Sequence, residues 1–211
     1  FNGTALVLDG AINGDALANL LTGTVNGEQI NALGGNDTVN AGAGNDTIDG
    51  GDGSDALYGQ AGADSMVGGI GNDTLEGDHA SDVSGGADTL DGGDGDDLVM
   101  GRAGNDILRG GIGNDRLRGD DGNDLLQGDA GADTMWAISG DDTLEGGAGN
   151  DSMYGGAGAE RFTGGADNDF IDAFAGNDSI DGDAGNDTAY GGDGLDTMNG
   201  GDGDDTFHGQ G

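Results

Sequence analysis

The chain has 211 residues with 52 Gly, no Pro and no Cys, and 42 acidic residues face 5 basic ones for a formal charge of −37. This charge argues against nucleic acid and anionic membrane as partners and favours cations. No apolar run approaches the ~18 residues of a membrane span, and no disulfide framework is available. With 4% aromatic residues, the composition lies near the border of disorder.

A nine-residue repeat argues against disorder. In residues 110–118 (GGIGNDRLR), six turn-forming residues end at Asp115 and precede a predicted three-residue strand centred on Leu117. An acidic residue recurs in this sixth position every nine residues through most of the chain, and an apolar residue follows two positions later. Stacked supersecondary units need such a register, whereas a disordered chain does not.

The repeat predicts an all-β solenoid with two short parallel sheets. Each unit is one turn plus one strand, in which the apolar residue points inward and its two neighbours point outward. Two units close a coil of about 18 residues, and coils stack about 4.8 Å apart. We expect a rod of roughly ten coils, about 50 Å long.

Residues 1–33 predict a degenerate N-terminal cap. The apolar column continues backward through Ile30, Leu21 and Ile12, while the acidic position holds Glu28 and Asn19. Solenoids need capping units at their ends, and this N-terminal unit lacks the regular acidic residues of the repeat. The apolar residues 1–8 either cover the end of the stack or belong to a preceding domain. Residues 34–211 are predicted to form the regular body.

Six extra residues interrupt the body within residues 77–86 (GDHASDVSGG). We interpret them as a bulged turn that preserves the alternation of the coil. His79, Ser81 and Asp82 contain the residue types of a hydrolytic triad, but residues so close on a polar loop cannot form its geometry. A solvated loop, or an additional cation site at Asp78 or Asp82, fits better. We predict no catalytic residues in this chain.

The core alone cannot fold such a chain. Each unit buries about one aliphatic side chain, worth roughly 1.5–3 kcal/mol, while ordering nine residues costs on the order of 1 kcal/mol apiece. Rows of carboxylates add repulsion that cations would relieve. Flexible cages of carboxylate and carbonyl oxygen suit Ca²⁺ better than Mg²⁺ or Zn²⁺. The prediction is a chain that is unfolded without calcium and β-folded with it.

The motif resembles the RTX family, whose repeat Gly-Gly-x-Gly-x-Asp-x-U-x is a Ca²⁺-binding β-helix repeat. The resemblance runs from about Gly23 to Gly211, and full copies occur at residues 50–55, 68–73, 92–97, 110–115, 146–151, 191–196 and 200–205. It implies a right-handed parallel β-roll in which several Ca²⁺ ions lie between stacked turns. They would be held by turn carbonyls and by sixth-position Asp residues two repeats apart, such as Asp97 with Asp115.

The resemblance assigns the metal ligands to the sixth position and to the turn backbone. The carboxylates are Asp37, Asp46, Asp55, Asp64, Asp73, Asp88, Asp97, Asp106, Asp115, Asp124, Asp133, Asp151, Asp178, Asp187, Asp196 and Asp205, and the carbonyls are those of Gly50, Gly68, Gly92, Gly110, Gly146, Gly191 and Gly200. Weaker sites are expected at Asp142, Glu160 and Asp169. There, Ala137-Ile138 and Ala173-Phe174 replace glycines and Asp167 takes a glycine position.

One outer face concentrates the aromatic residues. Folding the sequence at two repeats per coil places Tyr58, Trp136, Tyr154, Tyr190 and His208 in one column. Either aromatic residues simply suit exposed strands, or this face contacts a neighbouring domain, a second copy or a glycan.

Three functions are open from the sequence. The RTX resemblance implies a calcium-responsive module of a secreted bacterial protein, exported by type I secretion and located outside the cell or on its surface. The long array also suits a structural segment of a surface-layer protein, adhesin or extracellular filament. The third possibility is a non-catalytic module of a secreted enzyme or toxin. We expect the chain to be an excerpt of a longer protein.

Overall fold

The computed structural model describes residues 6–8, 11–79 and 85–210, and in these residues the protein is all-β with no helix. The strands are β1 Leu6–Leu8, β2 Ala11–Asn13, β3 Leu20–Thr22, β4 Gln29–Asn31, β5 Thr38–Ala43, β6 Thr47–Asp52, β7 Ala56–Ala61, β8 Ser65–Ile70, β9 Thr74–Asp78, β10 Thr89–Asp94, β11 Leu98–Ala103, β12 Ile107–Ile112, β13 Arg116–Asp121, β14 Leu125–Ala130, β15 Thr134–Ser139, β16 Thr143–Ala148, β17 Ser152–Gly156, β18 Arg161–Ala166, β19 Phe170–Phe174, β20 Ser179–Ala184, β21 Thr188–Asp193, β22 Thr197–Asn199 and β23 Thr206–Gln210.

Successive strands alternate between two sheets. The even sheet has 12 strands, β1 followed by β2 to β22 in even order, and the odd sheet has 11 strands, β3 to β23 in odd order. Pairing is parallel except for β1, which runs antiparallel to β2. Partners are two repeats apart, so Leu117 pairs with Val99 and Met135. The predicted β-solenoid with two repeats per coil is therefore confirmed.

Most strands are longer than the three residues predicted. β12 continues through Gly110 and Gly111, and only the three residues after Ile112 form the turn. The bend falls inside the strand, at Gly111, which has a φ of +109°. The same second position of the repeat keeps a positive φ when it is not glycine, as at Leu33 (79°) and Ile138 (91°). The glycines therefore belong to the sheets as well as to the turns.

The core is the apolar column between the two sheets. Leu57, Leu117 and their equivalents are fully buried, and Phe162 is the largest of the fully buried side chains. Their strand neighbours face outward and are mostly half-buried or exposed. Near the C-terminal end of the described residues, Phe207 of the same column is 39% exposed.

The interruption after β9 changes the register without breaking the alternation. Ser65 of β8 pairs with Thr89 of β10, and Thr74 of β9 pairs with Leu98 of β11, so each step exceeds two repeats by the length of the insertion. β9 still belongs to the odd sheet and β10 to the even sheet. The extra residues therefore lie in the connection between β9 and β10 and leave both sheets continuous.

Candidate metal sites in the stacked turns

The sixth-position carboxylates form two rows, one along each edge of the solenoid. The odd row precedes the strands of the odd sheet and contains Asp37, Asp55, Asp73, Asp97, Asp115, Asp133, Asp151, Asp169, Asp187 and Asp205. The even row precedes the strands of the even sheet and contains Asp46, Asp64, Asp88, Asp106, Asp124, Asp142, Glu160, Asp178 and Asp196. All but the terminal Asp196 and Asp205 are buried, with at most 3% exposure.

Each row is linked by a repeated hydrogen bond. The backbone N–H of Asp97 donates to Oδ1 of Asp115 at 2.8 Å, and the N–H of Asp115 donates to Oδ1 of Asp133 at 2.7 Å. In the even row, the N–H of Asp106 donates to Oδ1 of Asp124 at 2.9 Å. One carboxylate oxygen of each residue thus holds the turn of the preceding coil in place.

The other carboxylate oxygen has no such use. In the described part of the chain, Oδ2 is buried and accepts no hydrogen bond at Asp37, Asp46, Asp55, Asp64, Asp73, Asp88, Asp97, Asp106, Asp115, Asp124, Asp133, Asp142, Asp151, Asp169, Asp178 and Asp187, and the same holds for Oε1 of Glu160. Buried polar atoms in native proteins nearly always have a partner, and each exception needs an explanation. A cation bound between the turns would supply the missing partner for the whole set.

A backbone cradle lies beside the free Asp oxygen in repeats whose first position is glycine. A Cβ built on Gly50, the first residue of its repeat, would lie 2.6 Å from Oδ2 of Asp55 and 2.5 Å from the carbonyl oxygen of Gly68, one coil later. The equivalent atom on Gly164 would lie 2.5 Å from Oδ2 of Asp169 and 2.6 Å from the carbonyl oxygen of Gly182. Glycine in the first position therefore leaves open the space on which a carboxylate and a carbonyl converge.

The carbonyl positions are more regular than the sequence suggested. Those of Gly68, Gly92, Gly110, Gly146 and Gly200 each lie beside a free carboxylate oxygen, as do Gly77, Gly101, Gly128, Gly164 and Gly182, which the sequence analysis did not name. It selected only complete copies of the motif. The nine-residue register by itself identifies the other five, since they too occupy the first position of the repeat.

Burial makes these carboxylates weak acids without a bound cation. It raises the pKa of Asp88 to about 8, against the opposing hydrogen bond from the N–H of Asp64, and the nearby carboxylates of Asp106 and Asp78 add to the rise. Burial likewise raises the pKa of Asp97, Asp124 and Asp133 to about 7. Desolvation and row-wise repulsion therefore oppose charge in the turns, and a cation would offset both.

The donor set fits a hard divalent cation. In residues 11–79 and 85–210, no three His, Cys, Asp or Glu side chains meet in one metal-binding group. A site here must therefore combine one or two carboxylates with backbone carbonyls. Ca²⁺ accepts such mixed oxygen ligands in flexible geometry, whereas Zn²⁺ prefers His and Cys.

The predicted weaker sites differ from one another. Asp169 has the regular arrangement, since the N–H of Asp151 donates to its Oδ1 at 2.8 Å and its cradle is open. Before Asp142 the first position holds Ala137, whose methyl group occupies the cradle. Glu160 turns back on its own repeat and its Oε2 accepts the N–H of Gly156 at 3.2 Å. Weak binding at these residues stays a prediction.

The first two turns of the solenoid have no free oxygen of this kind. Oδ1 of Asn19 accepts the N–H of Asp15 at 2.7 Å. Oε2 of Glu28 accepts the N–H of Thr24 at 2.8 Å, and its Oε1 accepts the Thr24 hydroxyl at 2.5 Å. The sixth-position side chain therefore satisfies the turn from within.

The insertion holds one buried acid. Asp78 is 1% exposed, and a Cβ on Gly85 would contact its carboxylate and the carbonyl oxygen of Ala103. The hypothesis of a cation site at Asp78 is compatible with this position and stays a prediction. Ser81 and Asp82 lie outside the described residues, and so does any test of the triad.

The aromatic column is a continuous stack at its C-terminal end. Trp136 stacks on Tyr154 with ring centroids 5.9 Å apart, and Tyr190 stacks on His208 at 4.4 Å. Phe170, two positions off the predicted column, bridges the two pairs, with its centroid 5.8 Å from those of Tyr154 and Tyr190. Tyr58 lies apart, in a depression with Glu76 and Gln60. The sequence missed Phe170 because its column comes before the core residue.

Stacked carboxylate turns on a parallel β-solenoid define a calcium-binding repeat protein. The family model described as RTX calcium-binding nonapeptide repeat (4 copies) matches residues 22–57, 58–83, 82–117, 109–137, 136–171, 154–189 and 182–211. The chain therefore belongs to the RTX calcium-binding repeat family. No curated protein matches it. In the described residues, no helix is long and apolar enough to cross a membrane.

Proposed function

We propose that this chain is a calcium-dependent folding module of a secreted bacterial protein, disordered where calcium is scarce and folded outside the cell or on its surface. The two rows of buried carboxylates, each with one oxygen lacking a partner, carry the proposal. We infer that the sixth-position carboxylates bind Ca²⁺ together with the first-position carbonyls. Type I secretion, the usual route in the family, fits a chain that stays unfolded before export.

Calcium acts here on folding. The rows contribute repulsion and desolvation to the metal-free coil, so the folded state is disfavoured until cations bind. Since ligands come from turns that meet only in the coil, the free energy of binding is also free energy of folding. We assign the chain no catalytic role.

A calcium titration tests this function. Far-UV circular dichroism and the emission of Trp136 should change from disordered to β-folded between EDTA and millimolar Ca²⁺. Mg²⁺ at the same concentration is the control and should give much less folding, because it demands stricter octahedral geometry. Identical spectra in EDTA and Ca²⁺, or equal folding by Mg²⁺, would contradict the proposal.

A structural role is the second candidate. Both sheets run without interruption from β2 to β22 and from β3 to β23, which favours a stiff rod suited to a surface-layer protein, adhesin or filament. Electron microscopy of the calcium-loaded chain distinguishes the two, since a filament segment assembles end to end. A non-catalytic module of a secreted enzyme or toxin remains the third candidate, which neighbouring catalytic sequence in the gene would favour.

We further propose that residues 11–33 act as a metal-free cap. The internal hydrogen bonds of Asn19 and Glu28 support the cap.

We also propose that the odd-sheet face with Tyr58, Trp136, Tyr154 and Tyr190 contacts a neighbouring domain, a second copy or a glycan. The aromatic stack supports the contact face. Replacing Trp136 and Tyr154 by Ser should weaken such binding while calcium-dependent folding persists.

A further inference from the structure

The N-terminal end of the aromatic stack opens into a pocket on the outer face of the odd sheet. It has a volume of about 420 Å³ and is lined by Leu98, Met100, Arg116, Arg118, Trp136 and Ile138. These residues come from β11, β13 and β15, which pair directly in parallel register. The pocket therefore belongs to the rigid sheet.

One face of the Trp136 ring is directed toward this pocket. The ring lies nearly parallel to that of Tyr154, with an interplanar angle of 11°, so its other face is turned toward the neighbouring strand β13. On that strand the partner of Trp136 in the sheet register is Arg118. Leu98 is 36% exposed and extends the apolar surface. The pocket thus combines an indole face with aliphatic walls.

Two guanidinium groups stand at the same pocket in a chain of charge −37. Arg118 is held by Asp120, with Nη2 and Oδ1 2.6 Å apart. In the described residues Arg116 has no ion pair. The pKa of exposed Asp96 is lowered mainly by hydrogen bonds from Asn114, and the charge of Arg116 adds to this. Arg116 is therefore available to an incoming anion.

Ile138 supplies an aliphatic wall of the pocket. It occupies the second position of the repeat, where its φ of 91° is a conformation that β-branched residues rarely adopt. Glycine holds this position one coil later, at Gly156. The second position keeps a positive φ along the solenoid, as at Leu33, so this conformation is set by the coil. Here it places an aliphatic side chain in the wall of the pocket.

We propose that this pocket binds an acidic peptide segment of a partner protein, with a carboxylate on Arg116 and a neighbouring apolar or aromatic side chain against Trp136. Charge complementarity selects the anion, because guanidinium groups bind carboxylates by charge-assisted hydrogen bonds. The aliphatic walls of Leu98, Met100 and Ile138 offer few hydrogen bonds to a hydroxyl-rich sugar, so they favour a peptide over a glycan. The inference rests on the calcium-folded coil proposed above.

Trp136 is the single tryptophan of the chain and reports directly on the pocket. The calcium-loaded protein is titrated with the peptide acetyl-Leu-Phe-Glu-amide and with its Gln analogue, and Trp136 emission is followed. The Glu peptide should give a saturable change. The Gln peptide should bind at least about tenfold more weakly, as expected when a charge-assisted hydrogen bond is lost.

Three variants separate a binding role from a structural one. Arg116→Ala should abolish the response to the Glu peptide, whereas Arg109→Ala, on the even sheet, should leave it unchanged. Ile138→Gly should relieve the backbone strain and raise the stability of the coil, yet weaken peptide binding. Circular dichroism in Ca²⁺ checks that each variant is folded. If the unsubstituted chain did not fold in Ca²⁺, the calcium function would be wrong, independently of the pocket.

Several outcomes would overturn the proposal. Equal binding of the two peptides, or full binding by Arg116→Ala, would remove the carboxylate site. Concentration-dependent self-association that disappears in Arg116→Ala would make a second copy the occupant. An acidic oligosaccharide that binds through Arg116 where the Glu peptide does not would make it a glycan site.

Discussion

The sixth-position side chain plays a different role in the first two turns of the solenoid than in the turns of its body. At Asn19 and Glu28 the sixth-position side chain makes hydrogen bonds inside its own turn. At Asp115 one oxygen supports the previous coil, and the other is buried without a hydrogen bond. The backbone path and the apolar column are shared, so the difference lies in which group completes the turn.

This comparison separates folding by hydrogen bonds from folding by cations. A side chain that reaches back within its own turn needs no ligand from the next coil. An Asp that reaches across to the preceding coil leaves one oxygen for a metal. On the proposed function, the body responds to calcium through sites shared between coils, whereas the N-terminal turns are completed locally by hydrogen bonds.

The largest difference is expected from removing the sixth-position side chain in each region. Asp115→Ala leaves the N–H of Asp97 without an acceptor and removes a carboxylate ligand, which should cost about 2–4 kcal/mol of unfolding free energy. Asn19→Ala should cost about 1 kcal/mol. Denaturant unfolding at fixed Ca²⁺ measures both. Calcium stoichiometry from calorimetry should fall only for Asp115→Ala, and an equal fall for Asn19→Ala would erase the distinction.

Filling a cradle should abolish a site without replacing a carboxylate residue. In Gly110→Ala the new methyl would lie 2.8 Å from the carbonyl oxygen of Gly128, and overpacking of this kind costs about 1–3 kcal/mol. Ala137→Gly opens the cradle beside Asp142 and should strengthen calcium binding there. The exposed Ala130→Gly is the matched control. If Ala137→Gly behaved like Ala130→Gly, the first-position cradle would have no role in binding.

Acid should partly replace calcium in the body. Burial raises the pKa of Asp88 to about 8 and that of Asp124 to about 7, so the folded metal-free coil binds protons more tightly than the unfolded chain. This contribution is fully present below the unfolded carboxyl pKa of about 3.9 and is lost as pH rises through about 7 to 8. In EDTA, β-structure measured by circular dichroism should therefore increase as pH falls from 8 to 5.

Calcium binding should show the opposite dependence. Protons compete for the same oxygens, so the calcium concentration needed for folding should rise as pH falls below about 7. The Asp88→Asn variant is the control, since it removes the highest of these pKa values. A metal-free chain that gains no β-structure in acid would contradict the assigned burial of the rows.

The smallest expected effect comes from replacing Glu by Asp at two positions, where the same substitution should change stability in opposite directions. Glu160→Asp should let this residue accept the N–H of Asp142 as its regular neighbours do, and should raise stability in Ca²⁺ by about 1 kcal/mol. Glu28→Asp should shorten the reach to Thr24 and lower stability by about the same amount. Thermal unfolding of the two variants is the measurement. The same sign in both would mean that the sixth position is governed alike in cap and body.

Much of the fold could be predicted from the sequence, because the same nine-residue pattern of turn, carboxylate and apolar residue recurs along the chain. The nine-residue spacing predicted the alternation of sheets, the pairing of strands two repeats apart and the buried Leu117 column. It did not predict that the strands continue through the glycines, because strand pairing there depends on a neighbouring coil. Phe170 was missed in the aromatic stack for the same reason: side chains from two different columns meet only after the coils are stacked.

By itself, the sequence determined the period, the position of each carboxylate and the family to which the chain belongs. Those properties depend only on the spacing of residues along the chain. Only the tertiary structure decided which oxygen of each Asp remains free, which carbonyl lies beside it and that Arg116 shares a pocket with Trp136. Each of these depends on contacts between residues of different coils, and the identity of a residue does not specify what lies one coil away.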